Sequence, residues 1–243
     1  MGTSNSMKSG KLRMIPRLAA ILIFTLLMVF AAIRVCTWNT LGKNTRLLTL
    51  VNPWNPLSET GFSAKLTTVE NGFQVDRACA DSLKKMLADC RNAGRKPVIK
   101  STYRSVDDQL ELFDGEVQRL VETGLNPEDA DTAVAARIAR PGRSEHELGL
   151  AVDLVDADYT VEDETQSTTP TAQWLSENAW RYGFILRYPQ GAEDVTGYSW
   201  QPWHYRYVGE DAAVNIYSLG ITLEEYLSLF YSEEAAVEVD TAG

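Results

Sequence analysis

An apolar run with a single acidic side chain near its centre limits how this chain can fold. Residues 150–155 read LAVDLV, and the carboxylate is Asp153. A short run of this composition is typical of a buried strand. Because an unpaired carboxylate buried in such a strand would cost several kcal/mol, the fold must bring a partner to Asp153.

The chain contains two histidines, and both are candidate partners. His146 lies shortly before Asp153, and Gly149 permits a tight bend between them. His204 lies in the aromatic segment 203–208, a further predicted strand. A histidine taken alone is more often structural than a ligand, but two imidazoles and one carboxylate are a zinc-binding set that leaves a fourth position open for water. The sequence therefore predicts a metal site formed by His146, Asp153 and His204.

The remaining apolar patterns predict an α+β fold. Helical spacing dominates the first part of the folded region, and strand-like runs with one helix between them follow. The predicted helices span residues 75–92, 106–121, 126–138, 171–180 and 224–231, and the predicted strands span 97–101, 150–155, 184–188 and 203–208. This order favours a small antiparallel sheet that carries the zinc site, with helices packed on one side of it.

Charge is distributed unevenly along the sequence. The first 58 residues carry seven basic side chains and no acidic one, whereas the whole chain has 23 Lys and Arg against 33 Asp and Glu. The rest of the chain is therefore strongly acidic. Since an acidic surface repels phosphate, we expect no nucleic-acid partner.

Residues 18–33 form an uncharged apolar run preceded by basic side chains. Positive charge on the leading side keeps that side in the cytoplasm. The length falls between a signal-peptide core and a spanning helix, so an anchor and a cleaved signal both remain open, and the anchor is favoured. We expect a single-pass protein of the cell membrane with its C-terminal domain outside the cytoplasm, or a secreted protein if the segment is cleaved.

This pattern divides the chain into four parts. Residues 1–36 are predicted to be a basic cytoplasmic stub and membrane segment, and residues 37–46 a linker. The folded domain is expected over 47–232 and an acidic flexible tail over 233–243.

Cys79 and Cys90 fall within one helical pattern, which places their Cα atoms about 16 Å apart at a rise of 1.5 Å per residue. A disulfide needs a separation below about 7 Å. We therefore predict no disulfide between them and no cysteine-based metal site.

Three motifs occur in a distinctive order along the chain. Residues 144–153 follow the pattern Ser-x-His-x-x-Gly-x-Ala-x-Asp, and residues 203–207 follow Trp-His-x-Arg-Tyr. Residues 101–105 read Ser-Thr-Tyr-Arg-Ser, with Gln109 after them. Together they resemble the VanY-type D-alanyl-D-alanine carboxypeptidases, zinc peptidases that share the hedgehog/DD-peptidase fold. The resemblance covers roughly residues 47–230 and extends to Val51-Asn52 and Tyr182-Gly183-Phe184.

The resemblance implies roles for the matching positions. His146, Asp153 and His204 would hold Zn²⁺. Arg104 would bind the terminal carboxylate of the peptide, which suits a guanidinium fork. Ser144 would lie near the substrate and hydrogen-bond it. Gln109 would contact the substrate or brace the loop that carries Arg104.

Gln201 departs from the family pattern. The family reads Glu-Pro-Trp-His where this chain reads Gln-Pro-Trp-His, and its glutamate passes a proton from the attacking water to the leaving amine. An amide cannot accept a proton at neutral pH, and general acid–base catalysis is typically worth about 10²–10⁴-fold in rate. We therefore expect that Gln201 leaves metal and ligand binding intact and severely reduces hydrolysis.

Three explanations for Gln201 remain open: a natural binding-only relative, an enzyme in which Glu147 or Glu145 substitutes as the base, and an engineered variant.

The function that the resemblance implies is zinc-dependent removal of a C-terminal D-alanine from peptidoglycan stem peptides. The apolar run 18–33 separately predicts contact with the membrane through the N-terminal segment. The alternatives are a non-catalytic zinc-containing module that binds wall peptides or a partner protein, an L,D-carboxypeptidase, and an endopeptidase.

Overall fold

The computed structural model describes residues 45–231. The predicted stub, the apolar run 18–33, most of the predicted linker and the predicted tail lie outside the described residues. Between residues 45 and 231, no helix is both long enough and apolar enough to cross a membrane.

Helices and short strands alternate along the described residues, and the predicted α+β class is confirmed. The helices are α1 (Arg77–Asn92), α2 (Val106–Glu122), α3 (Pro127–Ala135), α4 (Pro170–Asn178), α5 (Glu193–Thr196), α6 (Glu210–Leu219) and α7 (Leu223–Tyr231). The strands are β1 (Leu66–Thr68), β2 (Gln74–Asp76), β3 (Pro97–Ser101), β4 (Ala151–Asp156), β5 (Phe184–Leu186) and β6 (His204–Tyr207).

Four of the strands form an antiparallel sheet in the order β3-β4-β6-β5, and β1 and β2 form a separate antiparallel pair. All six residues of β4 are buried, as expected for a central strand with an apolar sequence. The register pairs Asp153 of β4 with His204 of β6, and Ser101 at the end of β3 also lies opposite Asp153. The sheet therefore places two of the predicted metal ligands side by side.

The core forms where α1 packs against this sheet. The apolar face of α1 is fully buried and belongs to one cluster with Val152 and Leu154 of β4. Cys79 and Cys90 lie on this face as free thiols, so no disulfide joins them. Burial raises the pKa of each thiol to about 12, which keeps both protonated at neutral pH.

Helix ends differ from the sequence prediction where other segments compete for backbone groups. The helix predicted from residue 75 begins at Arg77, because Gln74–Asp76 pairs with β1 and Asp76 caps the helix by accepting the N–H of Ala78 at 3.0 Å. The helix predicted to reach residue 138 ends at Ala135. The next two carbonyls, those of Ala136 and Arg137, accept hydrogen bonds from Ser199 and Gln201 instead.

Four of the helices and strands were absent from the sequence prediction: β1, β2, α5 and α6. Helix α5 has only four residues. The β1–β2 pair consists of strands of three residues each, too short to give a periodic signal. Helix α6 buries mainly small side chains, Ala212 and Ala213 beside Ile216, so its apolar stripe is weak in sequence.

Arg46, which the sequence analysis assigns to the linker, contacts the folded domain. The Arg46 guanidinium contacts both carboxylate oxygens of Asp76, at 3.2 and 2.6 Å, and lies 4.3 Å over the ring of Phe62. Burial opposes ionisation of Asp76, but these contacts and two backbone N–H groups outweigh it and lower its pKa.

We expect Leu83→Ala to lower the free energy of unfolding by about 2–5 kcal/mol, because Leu83 is completely buried in the α1 face and its removal leaves a cavity. Leu110→Ala on α2 is the matched control, since that side chain is 46% exposed and should change stability by less than about 0.5 kcal/mol. Urea titration of both variants measures the difference. Equal losses would contradict the assignment of the core.

Candidate metal centre

Asp153 lies between the two histidines. Its Oδ1 is 2.9 Å from Nδ1 of His204, and its Oδ2 is 3.1 Å from Nε2 of His146. All three side chains are buried, and their ligand atoms lie within 4.8 Å of one another. The structure thus brings together the three residues that the sequence predicts as metal ligands.

A short 3-10 helix, Glu145–Leu148, positions His146. Ser144 begins it by accepting the N–H of His146 at 3.3 Å, and Gly149 ends it in the left-handed region at φ 66°. A Cβ atom at Gly149 would meet the backbone nitrogen of Asp76 at 3.0 Å, so this turn requires glycine.

The backbone carbonyl of Thr102, just after β3, fixes the orientation of the His146 ring. This oxygen lies 2.6 Å from Nδ1 of His146. Since a carbonyl only accepts, Nδ1 must carry the proton and donate it, which leaves the lone pair of Nε2 directed at Asp153. Metal-binding histidines are held in this way by a partner behind the ring.

His204 is supported by a carboxylate behind its ring. Its Nε2 is buried without a hydrogen-bond partner and lies 3.5 Å from Oε2 of Glu145, which is also buried without one. Donation from Nε2 to Glu145 would leave Nδ1 free for a metal. The ring also stacks on Tyr188, with centroids 4.8 Å apart.

Two buried arginines hold Glu145. Its Oε1 accepts from Nε of Arg187 and from Nη1 of Arg206, each at 2.7 Å. Arg187 also contacts both oxygens of Glu224 on α7, at 2.9 and 2.6 Å. Burial opposes ionisation of Glu145, but the charges of Arg187 and Arg206 outweigh it and hold its pKa well below the usual range.

The same balance of forces acts on the three predicted ligands. Burial disfavours the charged form of Asp153, yet the charges and hydrogen bonds of His146 and His204 lower its pKa. Burial, with the nearby Arg104, lowers the pKa of His146. Burial also opposes protonation of His204, but its contacts with Asp153 and Glu145 raise its pKa. The cluster therefore contains an ionised carboxylate and a neutral imidazole at His146, both forms that bind metals.

These donors fit a zinc ion. Zinc–nitrogen and zinc–oxygen bonds of about 2.0–2.2 Å place tetrahedral ligand atoms roughly 3.3–3.5 Å apart. The separations of 2.9 and 3.1 Å between Asp153 and the two histidines are close to these values, and all the ligand atoms lie within 4.8 Å of one another.

The predicted ligands line a cavity of about 400 Å³. Arg104 also lines it, is partly buried, and makes no side-chain hydrogen bond to any residue in the described range. Burial lowers its pKa, with nearby carboxylates acting in the opposite direction. A partly buried guanidinium that has no ion-pair partner among residues 45–231 is suited to binding an anion that enters from solvent.

Ser144 and Gln201 line this cavity too, whereas Gln109 does not. Gln109 is completely buried and donates from Nε2 to the carbonyl of Ala139 at 2.6 Å. Its side chain therefore braces the segment after α3, and its backbone N–H donates to the carbonyl of Ser105, next to Arg104, at 2.9 Å.

Gln201 uses its amide nitrogen as a donor within the cavity wall. Nε2 donates to the carbonyl of Arg137 at 2.8 Å, and the backbone carbonyl of Gln201 accepts the N–H of His204 at 3.2 Å. A carboxylate in the same position would face the Arg137 carbonyl without a proton to share. The carbonyl of Arg137 therefore favours an amide over a carboxylate at position 201.

Neither of the two glutamates considered as replacement bases stands free in the cavity. Glu145 has no exposed side-chain surface and is occupied by two arginines. Glu147 is not among the lining residues, and its Oε1 accepts the N–H of Gly142 at 2.9 Å. Burial, partly opposed by two backbone hydrogen bonds, raises the pKa of Glu147.

Several contributors to the site were missed by sequence reasoning. Arg187 and Arg206 support Glu145, Tyr188 stacks on His204, and Glu162 lines the cavity. The sequence did contain a signal for the two arginines. Each follows apolar or aromatic residues of a strand, and a charge in such a strand needs a partner, as Asp153 does. Glu162 lies in a segment without periodicity, so no pattern marked it.

Comparison with known proteins identifies the family that the sequence motifs resemble. The family model described as VanY, D-alanyl-D-alanine carboxypeptidase, matches residues 72–210. A D-alanyl-D-alanine carboxypeptidase of Enterococcus faecalis is 38% identical over 182 residues, which are 74% of this chain. The match spans 65% of that relative's length.

Solved structures with the same fold include two peptidases. One is a glutamate-to-alanine variant of the vancomycin-resistance D,D-pentapeptidase VanY in complex with Zn(II), with 39% identity and a TM-score of 0.67, covering 75% of this chain and 99% of that one. The other is the LD-carboxypeptidase LdcB, with 33% identity and a TM-score of 0.65, covering 75% of this chain and 86% of that one.

Arg187→Met should lower the free energy of unfolding by about 3–5 kcal/mol, because it leaves the buried carboxylate of Glu145 with one arginine and Glu224 with none. Arg181→Met is the control, since Arg181 is exposed and should cost less than about 1 kcal/mol. Urea titration measures both. A loss below about 1 kcal/mol for Arg187→Met would show that the buried pairs contribute little.

Proposed function

The chain belongs to the VanY family of D-alanyl-D-alanine carboxypeptidases, and on this basis we propose that it is a zinc-dependent carboxypeptidase acting on peptidoglycan stem peptides that end in D-alanine. The observation that carries the proposal is one cavity that contains three convergent metal donors and the guanidinium of Arg104, which has no ion-pair partner between residues 45 and 231. The proposed substrate lies outside the cytoplasm, which agrees with the export that we expect from residues 18–33.

Zinc held by His146, Asp153 and His204 would polarise the scissile carbonyl and lower the pKa of a water molecule. Arg104 would bind the free carboxylate of the last residue through its planar fork, which selects a chain end over an internal peptide bond. Ser144 accepts a backbone N–H with its Oγ, so its own hydroxyl proton is free to donate to the substrate.

Gln201 limits the proposed chemistry. Its amide nitrogen is engaged with the Arg137 carbonyl, and an amide accepts no proton from water at neutral pH. We propose that hydrolysis is slow for this reason while substrate affinity is retained, since general acid–base catalysis contributes about 10²–10⁴-fold.

A non-catalytic zinc-containing module that binds wall peptides is the second candidate function, and the hydrogen-bonded Gln201 amide favours it. Release of D-alanine from a muramyl pentapeptide, with and without a chelator, tests between the two. Zinc-loaded protein that binds the peptide and releases no D-alanine would favour the binding module.

L,D-carboxypeptidase activity is a further alternative, because LdcB shares the fold. Tetrapeptide and pentapeptide substrates assayed in parallel distinguish it. A peptide with a blocked C-terminus tests the endopeptidase alternative, and its cleavage would contradict the role proposed for Arg104.

We expect purified protein to retain about one zinc ion per chain, as the three-donor site requires. Asp153→Asn should lose most of it, because the variant removes the anionic ligand with little change of shape. Asp158→Asn is the control, since that exposed carboxylate only pairs with Lys96 at 2.7 Å. Elemental analysis after gel filtration measures the zinc, and equal retention by all three proteins would contradict the ligand assignment.

Gln201→Glu should raise kcat by about 10²–10⁴-fold with little change in KM, because it supplies a proton acceptor in the same cavity. We also expect a small loss of thermal stability, since the Arg137 carbonyl loses its donor. Steady-state assays on the pentapeptide measure the first effect. An unchanged kcat in a zinc-loaded variant would contradict the role proposed for position 201.

A further inference from the structure

Carboxylates line the cavity at four positions: Glu116, Glu145, Asp153 and Glu162. Asp153 is a proposed ligand, and Glu145 is enclosed beneath His204 by two arginines. Glu116 forms an ion pair with Arg119 on the same helix at 2.8 Å. These three carboxylates are therefore already engaged.

Glu162 is different. Its carboxylate forms no hydrogen bond or ion pair with any residue between 45 and 231, and the residue is partly buried at the cavity wall. The backbone holds it in place, because its carbonyl accepts Nη2 of Arg137 at 3.2 Å. The carbonyl of Arg137 in turn accepts the amide of Gln201 at 2.8 Å. Arg137 thus connects the position of Gln201 to that of Glu162.

The surroundings of Glu162 suit a group that takes up and releases a proton. Burial, followed by the negative charge of Asp153, raises the pKa of Glu162 to about 7, while Lys100, Arg104 and His204 act in the opposite direction. Near neutral pH both protonation states are accessible, which is the condition for efficient general acid–base catalysis.

We propose that Glu162 supplies the proton transfer that Gln201 cannot, and that it carries the residual turnover of this chain; the inference rests on the proposed hydrolase function. The oxygen of water forms a bond to the carbonyl carbon of the last peptide bond, and its proton moves to the Glu162 carboxylate. The carbon–nitrogen bond then breaks, and Glu162 gives that proton to the leaving nitrogen. The products are a carboxylic acid and an amine, with no oxidation or reduction.

Glu162→Gln tests this role in the chain as it exists, with zinc bound and a muramyl pentapeptide as substrate. We expect kcat to fall by about 10²-fold or more with KM unchanged, because only proton transfer is removed. Glu164→Gln on the same segment is the matched control, since that side chain is exposed and does not line the cavity. An unchanged kcat in folded, zinc-loaded Glu162→Gln would overturn the proposal.

Two measurements separate proton transfer from a structural or binding role. Zinc content and affinity for D-alanyl-D-alanine, measured by calorimetry, should be the same in Glu162→Gln as in the parent. The acid limb of the parent's kcat profile should be absent in the variant. Weakened dipeptide binding with an unchanged pH profile would make Glu162 a binding residue and would reject its role as a base.

The double variant provides the sharpest test. Because Gln201→Glu supplies a carboxylate of its own, adding Glu162→Gln to it should leave the raised kcat within about threefold. A further loss of about 10²-fold would overturn the proposal. If the parent releases no D-alanine while Gln201→Glu does, Glu162 is not the base; the metal and substrate assignments stand, and the parent chain is the binding module. If neither releases any with zinc bound, the proposed function itself fails.

Discussion

The site depends on one buried carboxylate that must be paired. Asp153 lies on the central strand β4, where every side chain is buried, and the antiparallel register places His204 directly opposite. A shift of that register by one residue would turn Asp153 to the other face of the sheet and separate the donors. The need to pair this charge and the need to hold a metal are therefore met by the same strand alignment.

Sequence reasoning identified the donors because their signal was local. A charge inside an apolar strand, as at Asp153, indicates a paired and buried group, and the scarcity of histidines left few possible partners. The helix α1 and strand β4 were also accessible, since their apolar patterns are strong. What the sequence could not show was long-range competition for backbone groups, which ends α3 at Ala135, and the position of Glu162 in a segment without periodicity.

The cavity combines two kinds of environment within a short distance. Behind the predicted ligands, Glu145 is enclosed and paired with Arg187 and Arg206. Along the open wall, Arg104 and Glu162 have no ion-pair partner within the described residues, so their charges are available to whatever enters. The paired charges of Glu145, Arg187 and Arg206 support the metal donors, whereas Arg104 and Glu162, of opposite charge, face the cavity.

The contact between α7 and the buried Arg187 determines where the chain can be truncated without loss of the support behind the metal site. Glu224 holds Arg187, Arg187 holds Glu145, and Glu145 lies behind the His204 ring. Asn52, near the other end of the described chain, also donates to Glu224 at 3.1 Å. A fragment that ends at the last strand would keep all three donors but lose the anchor behind one of them. A fragment that keeps the support behind His204 therefore includes α7.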